Sequence, residues 1–236
     1  GDPAGDPAMN FEDWEPVYEA ILADFGYDRA GDERARDLLY EFAEPFDLDR
    51  LDLAGETVAI AGGAPSLRDD LGRVREADAV FAASNAADVL RGRGIDVDCM
   101  VTDLDKTPGT ARDLTRDGTP VAVHAHGDNR DALEEWVPGM DARNVLATTQ
   151  AAPRPPVRNF GGFTDGDRAA FLADALGAAR LSFPGWDFDD PGVSEEKRRK
   201  LEWAERLLAW LERRRGEQFP VLDGRRESLG GVPEVE

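Results

Sequence analysis

Six runs decide the fold: Thr57–Gly62 (TVAIAG), Asp78–Ser84 (DAVFAAS), Val97–Asp103 (VDCMVTD), Pro120–His126 (PVAVHAH), Asn144–Gln150 (NVLATTQ) and Ala179–Gly185 (ARLSFPG). Each is a short, nearly continuous apolar stretch, as a strand buried on both faces must be. Helical periodicity separates most of them, over Ser66–Val74, Ala86–Arg93, Arg130–Trp136 and Arg168–Leu176. Strands that alternate with helices imply a parallel sheet covered on both sides, here of about six strands.

Working outward, Phe11, Trp14, Val17, Tyr18, Ile21, Leu22 and Phe25 fall at helical spacing over Asn10–Phe25. Pro16 sits in or near the first turn, where its missing N–H does no harm. A second helix, about Asp32 to Ala43, presents Leu38, Leu39 and Phe42. At the other end, Ser194–Arg215 opens with an N-cap serine and two acids and carries Leu201, Ala204, Leu207, Leu208 and Leu211 as a stripe. Residues 1–8, GDPAGDPA, read as a tag scar or mis-called start ahead of Met9. The expected division is then a helical cap over 9–54, the α/β domain that carries the chemistry over 55–215, and a loose tail over 216–236.

Composition narrows the function classes. The chain has 49 acidic and 28 basic residues and a formal charge of −21. A field of that sign repels nucleic acid and anionic membranes, so neither is an expected partner. No apolar run approaches the ~18 residues of a membrane span. The single cysteine, Cys99, forbids an internal disulfide and a cysteine-based zinc site, which points to the cytosol. Lysine occurs only at Lys106, Lys197 and Lys200, and the other 25 basic residues are arginine. Acid excess with scarce lysine resembles the proteomes of salt-loving archaea. Where composition has pushed lysine towards arginine, the survivors are candidates for places that need an ammonium.

In an open parallel sheet, ligands bind beyond the carboxyl ends of the strands. The strand exits here read GGAPS, SN, TDLD, HAHGDN and TTQ, then NFGGFTDGDR past the fifth strand, and PGWDF. Asp103 and Asp105 follow an apolar strand directly. In extended backbone, residues i and i+2 face the same way, so both carboxylates can meet one Mg²⁺. Gly62, Gly63 and Ser66 stand at a strand-to-helix turn that can offer backbone N–H groups to phosphate. His124 and His126 are the only histidines; His126 and Asp128, nearer the loop, are the candidates for function, and one of the pair can be buried and structural. Thr164 caps a helix whose first turn holds Asp165 and Asp167. Capping accounts for those acids but not for Gly161 and Gly162 before them, which permit close approach of a ligand. Lys197 and Lys200, three apart on the last helix, share a face that can meet polyphosphate or can equally be a solvated helix face.

VTDLD, HAHGDN, NFGGFTDGDRA and the GWDF after the sixth strand resemble the archaeal 6-hydroxymethyl-7,8-dihydropterin diphosphokinases. The order matches from Thr57 to Leu211, including GG-x-PS, the SN strand end and the lysine-bearing last helix. Lys106 departs from the glycine expected after the second aspartate. A more distant likeness to thiamine pyrophosphokinases covers Ser84-Asn85, Thr102–Asp105 and Gly161–Asp165. The resemblance implies a Rossmann-like, thiamine-pyrophosphokinase-like sheet behind an N-terminal helical pair, with a long C-terminal helix. It implies transfer of a diphosphate from ATP to the hydroxymethyl group of a pterin, with AMP released. Asp103 and Asp105 would hold Mg²⁺, with Asp128 as a further ligand or base. Gly62, Gly63, Ser66, Lys197 and Lys200 would take the nucleotide. Asn85, Asp88, His126, Gly162 and Asp165 would take the pterin. The product would feed folate or methanopterin-type coenzymes, and a homo-oligomer stays open. Three alternatives stand beside it: a glycosyl-transferring enzyme of a related domain family, a thiamine pyrophosphokinase, and a nucleotide-binding scaffold whose acids serve solubility only.

At molar ionic strength the Debye length shrinks to ~3 Å and repulsion among surface carboxylates relaxes. The thermal midpoint of unfolding is therefore expected to rise between low salt and molar KCl. Scanning calorimetry across that range checks it, and a flat or falling midpoint refutes the salt adaptation.

Overall fold

The computed structural model describes residues 9–234; the proposed tag or start at 1–8 lies outside the described residues. Six strands form one parallel sheet: β1 (Thr57–Ala61), β2 (Ala79–Ala83), β3 (Cys99–Thr102), β4 (Val121–Ala125), β5 (Val145–Thr149) and β6 (Arg180–Ser182). Their spatial order is β5-β4-β3-β2-β1-β6. The chain steps outward from β1 to β5, then returns to lay β6 on the far side of β1. The order therefore reverses between β1 and β6, and a crevice opens beyond their carboxyl ends.

Alternate strand residues feed two cores. Val58, Ile60, Phe81, Val101 and Leu146 face α1 (Phe11–Phe25), α7 (Asp165–Ala175) and α8 (Glu195–Arg215). Ala59, Val80, Met100, Val123 and Ala147 face the opposite core. That side is built by α2 (Arg29–Phe42), α3 (Leu71–Glu76), α4 (Ala86–Arg91), α5 (Pro108–Arg116) and α6 (Arg130–Trp136). The N-terminal helical pair is thus split across the sheet, one helix in each core. No helix among the described residues is long and apolar enough to cross a membrane.

Several local expectations shift. Helix α5 gave little sequence signal because Pro108 and Gly109 open it and Ala111 and Leu114 are its buried apolar residues. Helix α2 starts earlier than expected, with the Asp28 side chain accepting the Ala30 N–H. Ser66 belongs to a 3-10 turn at Pro65–Arg68 that precedes α3. Helix α8 matches its expected span, with the Ser194 side chain accepting the Lys197 N–H.

The segment after Gln218, expected to be loose, packs instead. Phe219 and Leu222 are fully buried. Arg226 pairs with Glu212 and Asp223, each at 2.7 Å. Arg225 joins Glu205 to Asp189 in the loop after β6. Six aromatic or aliphatic side chains are scattered over these eighteen residues without a helical or strand period, and only the groove against α8 and Phe183 makes burial of Phe219 and Leu222 available.

Two glycines permit the β1–β6 junction. Gly62 N–H donates to Pro184 O at 2.9 Å, and Ala64 N–H to Gly185 O at 3.0 Å. A Cβ on Gly62 would stand 2.6 Å from Gly185 O, and one on Gly185 2.5 Å from Gly62 O. Neither distance admits a side chain.

Candidate active site

The strand exits surround one open cavity of about 770 Å³. That lies within the ~300–1,000 Å³ typical of small-molecule sites. Gly62, Gly63, Asn85, Asp103, Asp105, His126, Asp128, Asp165, Lys197 and Lys200 all line it. The tertiary structure thereby gathers residues that lie more than a hundred positions apart.

The centre is Asp103. Leu104 has φ of 66°, in the left-handed region, so Asp103 and Asp105 flank a turn and not an extended strand. The i, i+2 argument for a shared face is corrected accordingly: Asp103 Oδ1 accepts the Asp105 N–H at 3.1 Å, and the turn brings both residues to the cavity. His126 is oriented by its neighbours. Its Nδ1 accepts the Asp128 N–H at 3.2 Å, which leaves the proton on Nε2, 3.2 Å from Asp103 Oδ2. Burial works against a charged Asp103, but the His126 hydrogen bond and the Arg168 charge outweigh it and hold the carboxyl well below the usual range. Asn129, which the sequence reading left out, ties the loop together: its side chain donates to Asp103 O and His124 O and accepts the His126 N–H.

Asp165 behaves oppositely. Burial and the nearby Asp103 charge push it up to about 7, against the pull of Arg168 and Lys197. Arg168 is itself buried and pairs with Asp165 at 2.9 Å. Asp167 serves the cap, accepting the Thr164 N–H at 3.1 Å.

Five basic side chains meet in the cavity. All three lysines of the chain line it, together with Arg34 and Arg168. Lys197 keeps exposed surface, yet the protein on its inner side lowers its pKa; Asp165 pulls the other way, and the Lys106 and Lys200 charges lower it further.

Three anticipated residues are set apart from this group. Asp88 lies outside the lining, where the first turn of α4 aims its Oδ1 at the Thr110 hydroxyl, 2.5 Å away on α5. Ser66 is carried off by the 3-10 turn, its Oγ buried and unpartnered. Gly162 does make room for a close approach, but by its own chain: a Cβ there would stand 2.6 Å from the Arg168 Cα. Of the glycine turn's N–H groups, those of Gly62 and Ala64 are already engaged, while Gly63 N–H has no partner among the described residues.

His124 is the buried member of the histidine pair. Its Nδ1 lies 3.0 Å from Thr148 Oγ1 and its Nε2 3.4 Å from Gln150 Oε1. Residues missed by the sequence reading include Gln150, Asp32 and Trp186, which also line the cavity. The Trp186 indole donates to Ile60 O at 2.9 Å and covers Gly166. A buried aspartate in α2 gives no signal in one acid-rich sequence.

Among the described residues no group of three or more His, Cys, Asp or Glu side chains is arranged to hold a metal ion. Two cavity carboxylates, one of them held ionised, still fit Mg²⁺, which binds through one or two carboxylates and completes its shell with water and substrate phosphates.

Residues 35–192 match the model of the family described as 6-hydroxymethylpterin diphosphokinase MptE-like. The chain belongs to that family. A Methanothermobacter thermautotrophicus protein named 6-hydroxymethyl-7,8-dihydropterin pyrophosphokinase is 39% identical over 87% of this chain and 96% of its own length. A Pyrococcus furiosus protein of the same name is 38% identical over 86% and 94%. A third, from Methanocaldococcus jannaschii, is 30% identical over 86% and 96%. The match to this diphosphokinase family model covers β1 through the loop after β6, and so the cavity apart from α8 and part of the N-terminal pair.

His124 supplies a pH test. Burial, reinforced by the Arg168 charge, drives its pKa well below 6.5, so the folded chain keeps it neutral. The unfolded chain takes up a proton there below pH 6.5, so stability falls as pH drops. The loss sets in as pH falls through the ordinary histidine range, because only the unfolded chain binds that proton. Urea titrations of wild type and His124→Gln are expected to show that component of the slope vanish in the variant; parallel slopes refute it.

Proposed function

We propose that the chain transfers the β,γ-diphosphate of ATP to the hydroxymethyl oxygen of 6-hydroxymethyl-7,8-dihydropterin. The hydroxyl gives up its proton to a base and its oxygen attacks the β-phosphorus, the bond from that phosphorus to the oxygen shared with the α-phosphorus breaks, and AMP leaves. The observation that carries this reading is the meeting of all three lysines with Asp103 and Asp105 in one cavity of a strongly acidic chain. An acid-rich surface has no use for such a cluster unless a polyanion is to be held there. The names of the three archaeal relatives agree with it.

Diphosphate transfer depends mainly on positioning and charge neutralisation. Lys106, Lys197 and Lys200 line the cavity and suit the polyphosphate. Asp103 and Asp105 are the residues that would hold Mg²⁺, which when bound neutralises phosphate oxygens. Gly63 offers its N–H, and Asn85 and Asp165 offer polar contacts to the pterin, whose aminopyrimidine edge carries N–H donors. Asp128 stands at the mouth as a further ligand or base. Tyr27, Phe163 and Trp186 line the cavity, and aromatic side chains suit a flat ring. We further place the enzyme in the cytosol of a salt-adapted cell, in folate or methanopterin-type coenzyme synthesis.

Incubation with ATP, Mg²⁺ and the reduced hydroxymethyl pterin tests the reading. AMP and pterin diphosphate are expected in equal amounts, and pterin-independent AMP release contradicts it. Asp103→Asn and Asp105→Asn should each lower kcat by about a hundredfold or more with an unchanged circular dichroism spectrum. Near-normal turnover in either folded variant removes the metal assignment.

A further inference from the structure

The N-terminal helical pair reaches the site through one buried carboxylate. Asp32, near the start of α2, is 4% exposed. Its Oδ2 accepts the Tyr18 hydroxyl at 2.6 Å and the Gln150 amide at 2.8 Å. Its Oδ1 accepts the Gly127 backbone N–H at 2.8 Å. All three donors are neutral. Taking a carboxylate out of water is costly, and an apolar pair at positions 18 and 32 would meet a purely structural need more cheaply.

What the carboxylate holds gives it a different use. Gly127 sits between His126, which donates to Asp103, and Asp128, whose N–H fixes the His126 ring. Backbone seats backbone beside it: a Cβ on Gly31 would lie 3.6 Å from the Gly127 Cα. The Gln150 amide that donates to Asp32 lies against His124 through its own oxygen. With the His124 proton on Nε2, each donor in this chain faces an acceptor. One network therefore joins α1, α2, β4 and the exit of β5 to the loop that aims Asp103.

The geometry points to Asp32 as a positioning residue for diphosphate transfer: by holding Gly127 it fixes the His126–Asn129 loop and, through His126, the carboxylate of Asp103. This rests on the reading of Asp103 given above. Asp32→Asn keeps the shape but sets an NH₂ group against at least one of the three donors. It is expected to lower kcat about tenfold and to weaken binding of Mg²⁺·ATP about fivefold, with KM for the pterin moved less than about threefold. Tyr18→Phe, which leaves the Gly127 bond in place, should lower the thermal midpoint while keeping kcat within about twofold. Turnover and calorimetric binding of Mg²⁺·ATP are measured on the same preparations. A folded Asp32→Asn with wild-type kcat and Mg²⁺·ATP affinity overturns the proposal. So does a raised pterin KM at unchanged kcat, which would make Asp32 a substrate contact. Should the asparagine variant not fold, Asp32→Ser, which leaves room for a water, is read by the same criteria. A wild type that binds Mg²⁺·ATP but releases no AMP sinks the transfer reading alone, and the binding comparison still decides the role of Asp32.

Discussion

The molecule is organised around the close approach of two turns, after β1 and after β6. Gly62 and Gly185 pass backbone to backbone, and two hydrogen bonds from Gly62 and Ala64 to Pro184 and Gly185 lock them. This contact closes the sheet on the side where the strand order reverses. Trp186 follows it directly, and its indole is pinned to Ile60 O while its ring lies over Gly166 at the start of α7. The β1 turn, the β6 turn and the α7 N-terminus are thereby fixed relative to one another, and they form one wall of the cavity. A side chain at Gly62, Gly166 or Gly185 would have to move backbone or indole, not merely a flexible tip.

The opposite wall is fixed by polar bonds at the exits of β3 and β4. Asn129 bridges the two exits, and His126 spans from one to the carboxylate of the other. This edge also holds strain. Ser84, Leu104 and Thr107 all have positive φ, a conformation that costs a non-glycine residue of order 1–3 kcal/mol. Surrounding bonds hold two of them: Ser84 N–H donates to Val101 O at 2.9 Å and Leu104 N–H to Thr102 Oγ1 at 2.9 Å. Ser84 lines the cavity, and the turn at Leu104 lies between Asp103 and Asp105, which line it too.

Charge is distributed with equal economy. A chain of formal charge −21 places its three lysines, Arg34 and Arg168 around the same space as Asp103, Asp105 and Asp165. Within that space two carboxylates on neighbouring elements are driven apart. Asp103, bonded by His126 and facing Arg168, is held ionised, whereas Asp165, more deeply buried and facing Asp103, has its pKa pushed up to about 7. Like charges so close cannot both ionise freely in a low dielectric. A bound cation and polyphosphate would change that balance.

The amino-acid sequence by itself determined the architecture, since apolar runs buried on both faces and helices capped by Asn10 and Ser194 are local properties of the chain. It also marked most of one edge: glycines, carboxylates and lysines at strand exits must converge once the strands are parallel. It did not reveal α5, whose apolar positions are too few, or the packing of Phe219 and Leu222, which depends on a groove made by distant elements. Nor did it separate Asp88 and Ser66 from their neighbours, because a turn's rotation by one residue decides whether a side chain meets the cavity or an adjacent helix. Gly162 was marked for close approach, and only the tertiary structure showed that the visitor is the Arg168 backbone. Asp32 and Gln150, 118 residues apart, meet through a hydrogen bond that no local pattern encodes. Periodicity records what each segment must bury; which polar groups then face one another follows from the register of strands and the seating of helices, and those exist only in the folded chain.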